Sequence, residues 1–138
     1  MGDDLEAIKQ LKARYFRFLD TKDWEAWAVV FATDALMEVP EADVVEHGRE
    51  AIVSAVSAAL EGTTTVHHGH MPEIELTGPD TARGIWAMFD HVEWPDAGDG
   101  GRVGLQGYGH YHEEYVREDG EWRIAATRLV RLRADPLT

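Results

Sequence analysis

Histidine, aspartate, tyrosine and arginine are the residue types in this sequence that could move a proton or hold charge on a substrate. His67 and His68 are adjacent in a run of alternating residues from Thr64 to Thr77. Neighbours on a strand face opposite sides, so only one of the two enters the interior. His67 is our choice, and a one-residue slip of register would exchange it for His68. Imidazole suits taking and returning a proton near neutral pH. Asp90 shares a strand face with Trp86 and Met88, where desolvation would favour a neutral acid fit for general acid or base work. Asp90 reads equally well as the start of an exposed polar end with His91 and Glu93. Thr127, Leu129 and Arg131 alternate inward on the last strand. Arg131 could pair with Asp90 or hold an acidic substrate group, and a surface arginine is the plainer alternative.

Tyr15 and Asp20 lie five residues apart, off one common helical stripe. If the helix stops near Leu19, Asp20 is free to turn inward. Taken by residue alone, Tyr15 is a core aromatic and Asp20 opens the Asp20-Thr21-Lys22-Asp23 turn. His68 with His70, and His110 with His112, have a spacing that can hold zinc on a strand. No cysteine and no helical His-Glu-x-x-His motif accompanies them, so we expect no metal site.

The elements that must position these groups follow from periodicity. Leu5, Ile8, Leu11, Tyr15, Phe18 and Leu19 form one apolar helical stripe, with Asp3 or Asp4 as its cap. Asp23 caps a short second helix carrying Trp24, Trp27, Val30 and Phe31. Ala35 to Val39 reads as a strand ending at Pro40, and a polar loop runs on through Gly48. Arg49 to Leu60 is a third helix stopped by Gly62. The period then changes to two. Strands span Thr64 to Thr77, Thr81 to Trp94, Arg102 to Arg117 and Glu121 to Arg133. Gly78-Pro79-Asp80 and Glu118-Asp119-Gly120 are their turns, and a loop fills 95–101. Strands in this order make an antiparallel meander. Gly104, Gly107 and Gly109 suggest bulges or sharp curvature in one strand. Helices on one side of a bent sheet leave a pocket.

The chain has 138 residues, which predicts one domain over 1–138. With 44% apolar residues it is globular in composition. The formal charge of −13 disfavours nucleic acid and acidic membrane surfaces. No apolar run is long enough to span a bilayer, and the first residues lack a signal peptide. A cysteine-free chain of this kind is expected in the cytoplasm.

Residues 14–24 followed by 31–35 resemble the opening of SnoaL-like domains. So do His47-Gly48-Arg49-Glu50-Ala51-Ile52, Val66-His67-His68 and Asp119-Gly120-Glu121-Trp122-Arg123-Ile124. The resemblance implies the α+β cone of the nuclear-transport-factor-two-like superfamily: a cone-shaped barrel with three N-terminal helices on a strongly curved, mostly antiparallel sheet. Scytalone dehydratase and the bile-acid dehydratases share that cone. By this resemblance Asp20 pairs with a catalytic His67, Tyr15 is the pocket tyrosine and Asp90 the second acid. Gly109 and Tyr111 would lie inside the cone, and Arg131 would face the pocket. Trp86, Tyr111 and Leu19 depart from scytalone dehydratase, so the match is closer to the bile-acid branch. Trp24, Trp86, Tyr111, Leu129 and Arg131 would line the substrate. The implied activity is a cofactor-independent lyase or isomerase acting next to a carbonyl of a cyclic, polyketide- or steroid-like small molecule. A non-catalytic binding domain, an epoxide hydrolase and the structural small subunit of an aromatic-ring dioxygenase are the alternatives. Cones of this superfamily associate through their sheets, which implies a homodimer or homotrimer.

Overall fold

Period-two alternation builds the second half of the chain. A computed structural model describes residues 2–95 and 101–137. In it Thr64–Gly78, Thr81–Trp94, Val103–Glu118 and Glu121–Pro136 are four long strands, named β3 to β6. Each pairs antiparallel with the next. Along β4 every second residue from Ala82 to Val92 is buried, the intervening ones less so. That is the burial expected of a sheet covered on one face only. The expected loop falls at 96–100 outside the described residues.

The covering layer is helical. Helix α1 spans Gly2–Asp20, α2 Trp24–Ala28 and α3 Arg49–Ala59. Ile8, Leu11, Tyr15 and Leu19 of α1 are buried in the core, and α1 packs against β3 and β6. Asp23 caps α2 by accepting the Ala26 N–H at 3.2 Å. Asp3 and Asp4 lie within the first turn of α1 rather than before it.

The middle of the chain departs from expectation. The second helix stops at Ala28, and Phe31 already starts strand β1, Phe31–Val39. The tryptophan spacing extended a helical pattern that the sheet interrupts. A 3-10 turn at Pro40–Ala42 then leads into strand β2, Val44–His47, where a loop was expected. Four half-exposed residues carry too little alternation to announce a strand. β2 pairs antiparallel with β1, and β1 lies parallel to β6. The open six-stranded sheet has the order β2-β1-β6-β5-β4-β3. With three helices on a curved mixed sheet, the fold is the α+β cone.

Two cavities open on the surface among the described residues. One of about 670 Å³ crosses the sheet beside Ile85, His112 and Arg128, which alternate with the inward Trp86, Tyr111 and Leu129. The other, about 560 Å³, is lined by Lys22, Trp24, Ser54, Ser57 and Glu61. Under α1 the inner face of the sheet is closely packed at Gly69. A Cβ at Gly69 would stand 2.7 Å from Phe16 and 3.1 Å from Trp86, so these rings lie directly on the sheet.

Candidate active site

The end of α1 docks on the edge strand β3 through one carboxylate. Asp20 Oδ2 accepts the backbone N–H of His67 at 2.8 Å. An edge strand leaves such donors unpaired, and here a side chain takes one. Asp20 Oδ1 lies 2.7 Å from His67 Nδ1 and accepts the Thr65 hydroxyl at 2.9 Å. Because the His67 N–H leaves the ladder, His67 and its cross-strand neighbour Asp90 form a non-hydrogen-bonded pair. Side chains of such pairs stand close, and Asp90 Oδ2 is 3.8 Å from His67 Nε2. That is beyond hydrogen bonding. Nε2 thus has no hydrogen-bond partner among the described residues. A carboxylate on Nδ1 assigns the proton there and leaves the Nε2 lone pair open.

Asp90 is fully buried. Of the two settings the sequence left open for Asp90, the structure has the buried one, and Arg131 is its partner. Arg131 donates from Nη2 to Asp90 Oδ2 and from Nε to Asp90 Oδ1 at 3.4 Å. Its Nη1 reaches Glu41 Oε1 of the 3-10 turn at 3.3 Å. The room for this pair comes from Gly107, the cross-strand neighbour of Asp90. A Cβ there would sit 2.3 Å from Asp90 Oδ1 and 2.4 Å from Arg131 Nε. Gly109 has a different reason: its Cβ would strike the Val130 carbonyl at 2.1 Å, where β5 and β6 shift register.

Deeper in the cone, the rings of Tyr15 and Tyr111 meet edge to face, 5.9 Å between centres. Burial first, with the charge of Glu113 for Tyr15 and the charges of Asp90 and Glu113 for Tyr111, holds both well above the ordinary phenol range. Both remain neutral donors. The Lys12 ammonium lies 3.6 Å from the Tyr15 ring centre and 3.7 Å from that of Tyr111. It is paired with Glu113 at 2.6 Å, with neither side chain exposed. Desolvation, opposed by Glu113, lowers Lys12 to about 8. Glu113 also accepts from Thr127 at 2.6 Å and Tyr115 at 2.8 Å, and Trp86 Nε1 donates to Tyr115 at 2.8 Å.

The structure therefore brings together Asp20, His67, Asp90 and Arg131, with Tyr15 close enough for its hydroxyl to feel the charges of Asp20 and Asp90. His68 is exposed and points away. Solvent reaches the cluster at the side chains of Asp20, 21% exposed, and Arg131, 14%. Tyr111 and Leu129 are cross-strand neighbours on the inner face, and Trp86 belongs to the deeper network. Trp24 is not brought to His67: it stacks edge-on against Trp27 at 5.4 Å and lines the 560 Å³ groove. Sequence reasoning missed Thr65, Lys22, Glu41 and the Lys12–Glu113 pair. A signal for the last existed: Lys12 falls inside the apolar stripe of α1, and Glu113 alternates with Tyr111 and Tyr115.

Comparison with known proteins agrees with this architecture. A probable cyclase of Gibberella zeae is 27% identical over 135 residues, spanning 91% of this chain and 89% of that protein. A candidate scytalone dehydratase from Novosphingobium aromaticivorans superposes with a TM-score of 0.86 at 20% identity, covering 100% of this chain and 93% of the other. The type 3 hexachlorocyclohexane dehydrochlorinase of Novosphingobium barchaimii gives 0.82 at 20% identity, with 99% and 91% covered. At such identities the two structures speak for the fold. The SnoaL-like domain matches residues 3–128, and the chain belongs to that family.

Proposed function

We propose that the protein is a cofactor-independent lyase or isomerase that transfers a proton next to a carbonyl of a cyclic, polyketide- or steroid-like small molecule. One observation carries this reading. His67 is held at Nδ1 by Asp20 and presents Nε2 with no hydrogen-bond partner, the geometry of an oriented general base. Nε2 takes the proton from the carbon beside the carbonyl, and the electron pair moves onto the carbonyl oxygen. Tyr15 donates to that oxygen. The carbonyl then re-forms, the bond to a β-hydroxyl breaks, and His67 returns its proton to give water. Without a leaving group, reprotonation at another carbon gives isomerisation. Arg131, anchored by Asp90, holds a polar group of the substrate. The names of the relatives, a dehydratase, a dehydrochlorinase and a cyclase, suit small-molecule chemistry of this kind.

The test uses a panel of cyclic β-hydroxyketones in deuterium oxide, followed by proton NMR. Exchange beside the carbonyl and loss of water are expected from the wild type. His67→Ala should lose about 100-fold or more of that rate while keeping its circular dichroism. Equal turnover by His67→Ala removes the reading. A second reading, epoxide hydrolysis, has the Asp90–Arg131–Glu41 chain in its favour. It predicts vicinal diol from cyclic epoxides with little dependence on His67.

A further inference from the structure

Lys22 occupies a backbone conformation that lysine does not favour. Its φ is +60°. Asp23 N–H bonds to the Phe18 carbonyl at 2.9 Å and Lys22 N–H to the Leu19 carbonyl at 3.2 Å. These are the two bonds of a Schellman motif that ends α1, with Lys22 at the left-handed position usually given to glycine. Strain kept at one residue, where a smaller one would relieve it, points to a task for the side chain. The side chain turns back over the helix end. Lys22 Nζ donates to Thr65 Oγ1 at 3.0 Å, and the buried Thr65 hydroxyl donates to Asp20 Oδ1 at 2.9 Å. That is the same oxygen that holds His67 Nδ1 at 2.7 Å.

We propose that Lys22 is a positioning residue which, through the Thr65 hydroxyl, draws charge from Asp20 and so sets how tightly Asp20 binds the Nδ1 proton of His67. His67 stands between two carboxylates. A base must give up its proton as readily as it takes one, and two unscreened anions would hold the imidazolium too firmly. Asp90 on β4 has Arg131 of β6 as its cation, backed by Glu41 of the 3-10 turn. Asp20 at the end of α1 has Lys22 through Thr65. Tyr15 on α1 and Tyr111 on β5 are further titratable groups within reach of its charges. Each carboxylate beside the imidazole thus has a positive charge behind it. Lys22 gains this position at the cost of desolvation, which lowers its affinity for a proton, while Asp20 acts in the opposite sense.

The inference rests on the proposed base role of His67, but its test does not need a substrate. In the full chain, the Nδ1 proton of His67 gives a proton NMR line downfield of the amides, identified by its loss in His67→Gln. Thr65→Val removes a donor competing for Asp20, and Lys22→Met removes the charge that strengthens that donor, so both should move that line further downfield. Lys22→Arg should return it towards the wild-type position. Lys22→Gly relieves the backbone and should keep or raise the urea midpoint, yet move the line as Lys22→Met does. On a substrate that turns over, Lys22→Met should move the acid limb of kcat/KM to higher pH, as expected from loss of a nearby positive charge. An unmoved line in both Lys22→Met and Thr65→Val overturns the proposal. So does a Lys22→Gly variant that loses stability with the line unmoved, because Lys22 is then a brace only. If the lines move but no carbonyl substrate reacts, Lys22 keeps this role and the lyase reading falls.

Discussion

Gly107→Ala adds a single methyl group where the structure has no room for it. The new Cβ would stand 2.3 Å from Asp90 Oδ1 and 2.4 Å from Arg131 Nε, against an ordinary contact of 3.4 Å or more. One partner must therefore move by about 1 Å. Asp90 is fully buried and cannot swing into water, so the movement falls on the ion pair. Bending a side chain off its rotamer costs about 0.5–1.5 kcal/mol, whereas separating a buried pair costs about 3–5 kcal/mol. We expect a loss of about 3 kcal/mol, roughly a hundredfold in the folding equilibrium. Urea unfolding followed by tryptophan fluorescence measures it. In an Asp90→Ala background the methyl gains space, and the same substitution should cost under about 1 kcal/mol. A wild-type-like Gly107→Ala protein, or an equal cost in both backgrounds, would refute the claim that Gly107 makes room for this pair.

Two further outcomes follow from the deeper network. Lys12→Met strands the buried Glu113 carboxylate and should cost about 3 kcal/mol or more in urea unfolding. Adding Glu113→Gln, which removes the stranded charge and keeps one of the two acceptor oxygens, should recover much of that loss. Burial raises Tyr15, Tyr111 and Tyr115 above the ordinary value of 10.0, so the folded state favours their neutral forms. Their contribution to stability is full below pH 10 and is lost as pH rises beyond it. An ultraviolet titration should show three of the four tyrosines ionising only as the chain unfolds.

Part of the site was legible because alternation on a strand is a strict rule. Alternation put Arg131 inward with Thr127 and Leu129, left Asp90 open between an inward and an exposed reading, and left His67 against His68 to the family resemblance; His67, Asp90 and Arg131 all lie on the inner side. The resemblance to SnoaL-like domains supplied the link between Asp20 and His67, which no local pattern contains. Phe31 was placed in a helix because Trp24 and Trp27 began a helical spacing, while the parallel partner that makes it a strand lies at Ile124. Val44–His47 gave no signal, since β2 exists only by pairing with β1. Lys12, Glu113, Lys22 and Thr65 were passed over for one physical reason. Charged and hydroxyl residues are read as solvent-facing until a buried partner is known, and each partner here comes from a distant segment.

The parallel seat of β1 beside β6 also sets an order in time. Leu36 lies next to Ala126, so the strand made first waits for the strand made last. Until Glu121–Pro136 has left the ribosome, β1 and β2 have no sheet to join, and Asp90 has no Arg131 to pair with. The meander from β3 to β5 can form on its own through neighbouring hairpins, but it leaves the β5 edge open for another chain to pair with. A nascent chain stalled before residue 121 is thus an aggregation hazard through that open edge. Completion of the last strand closes that edge and delivers the guanidinium in one event, so the finished sheet and the charged site come into existence together.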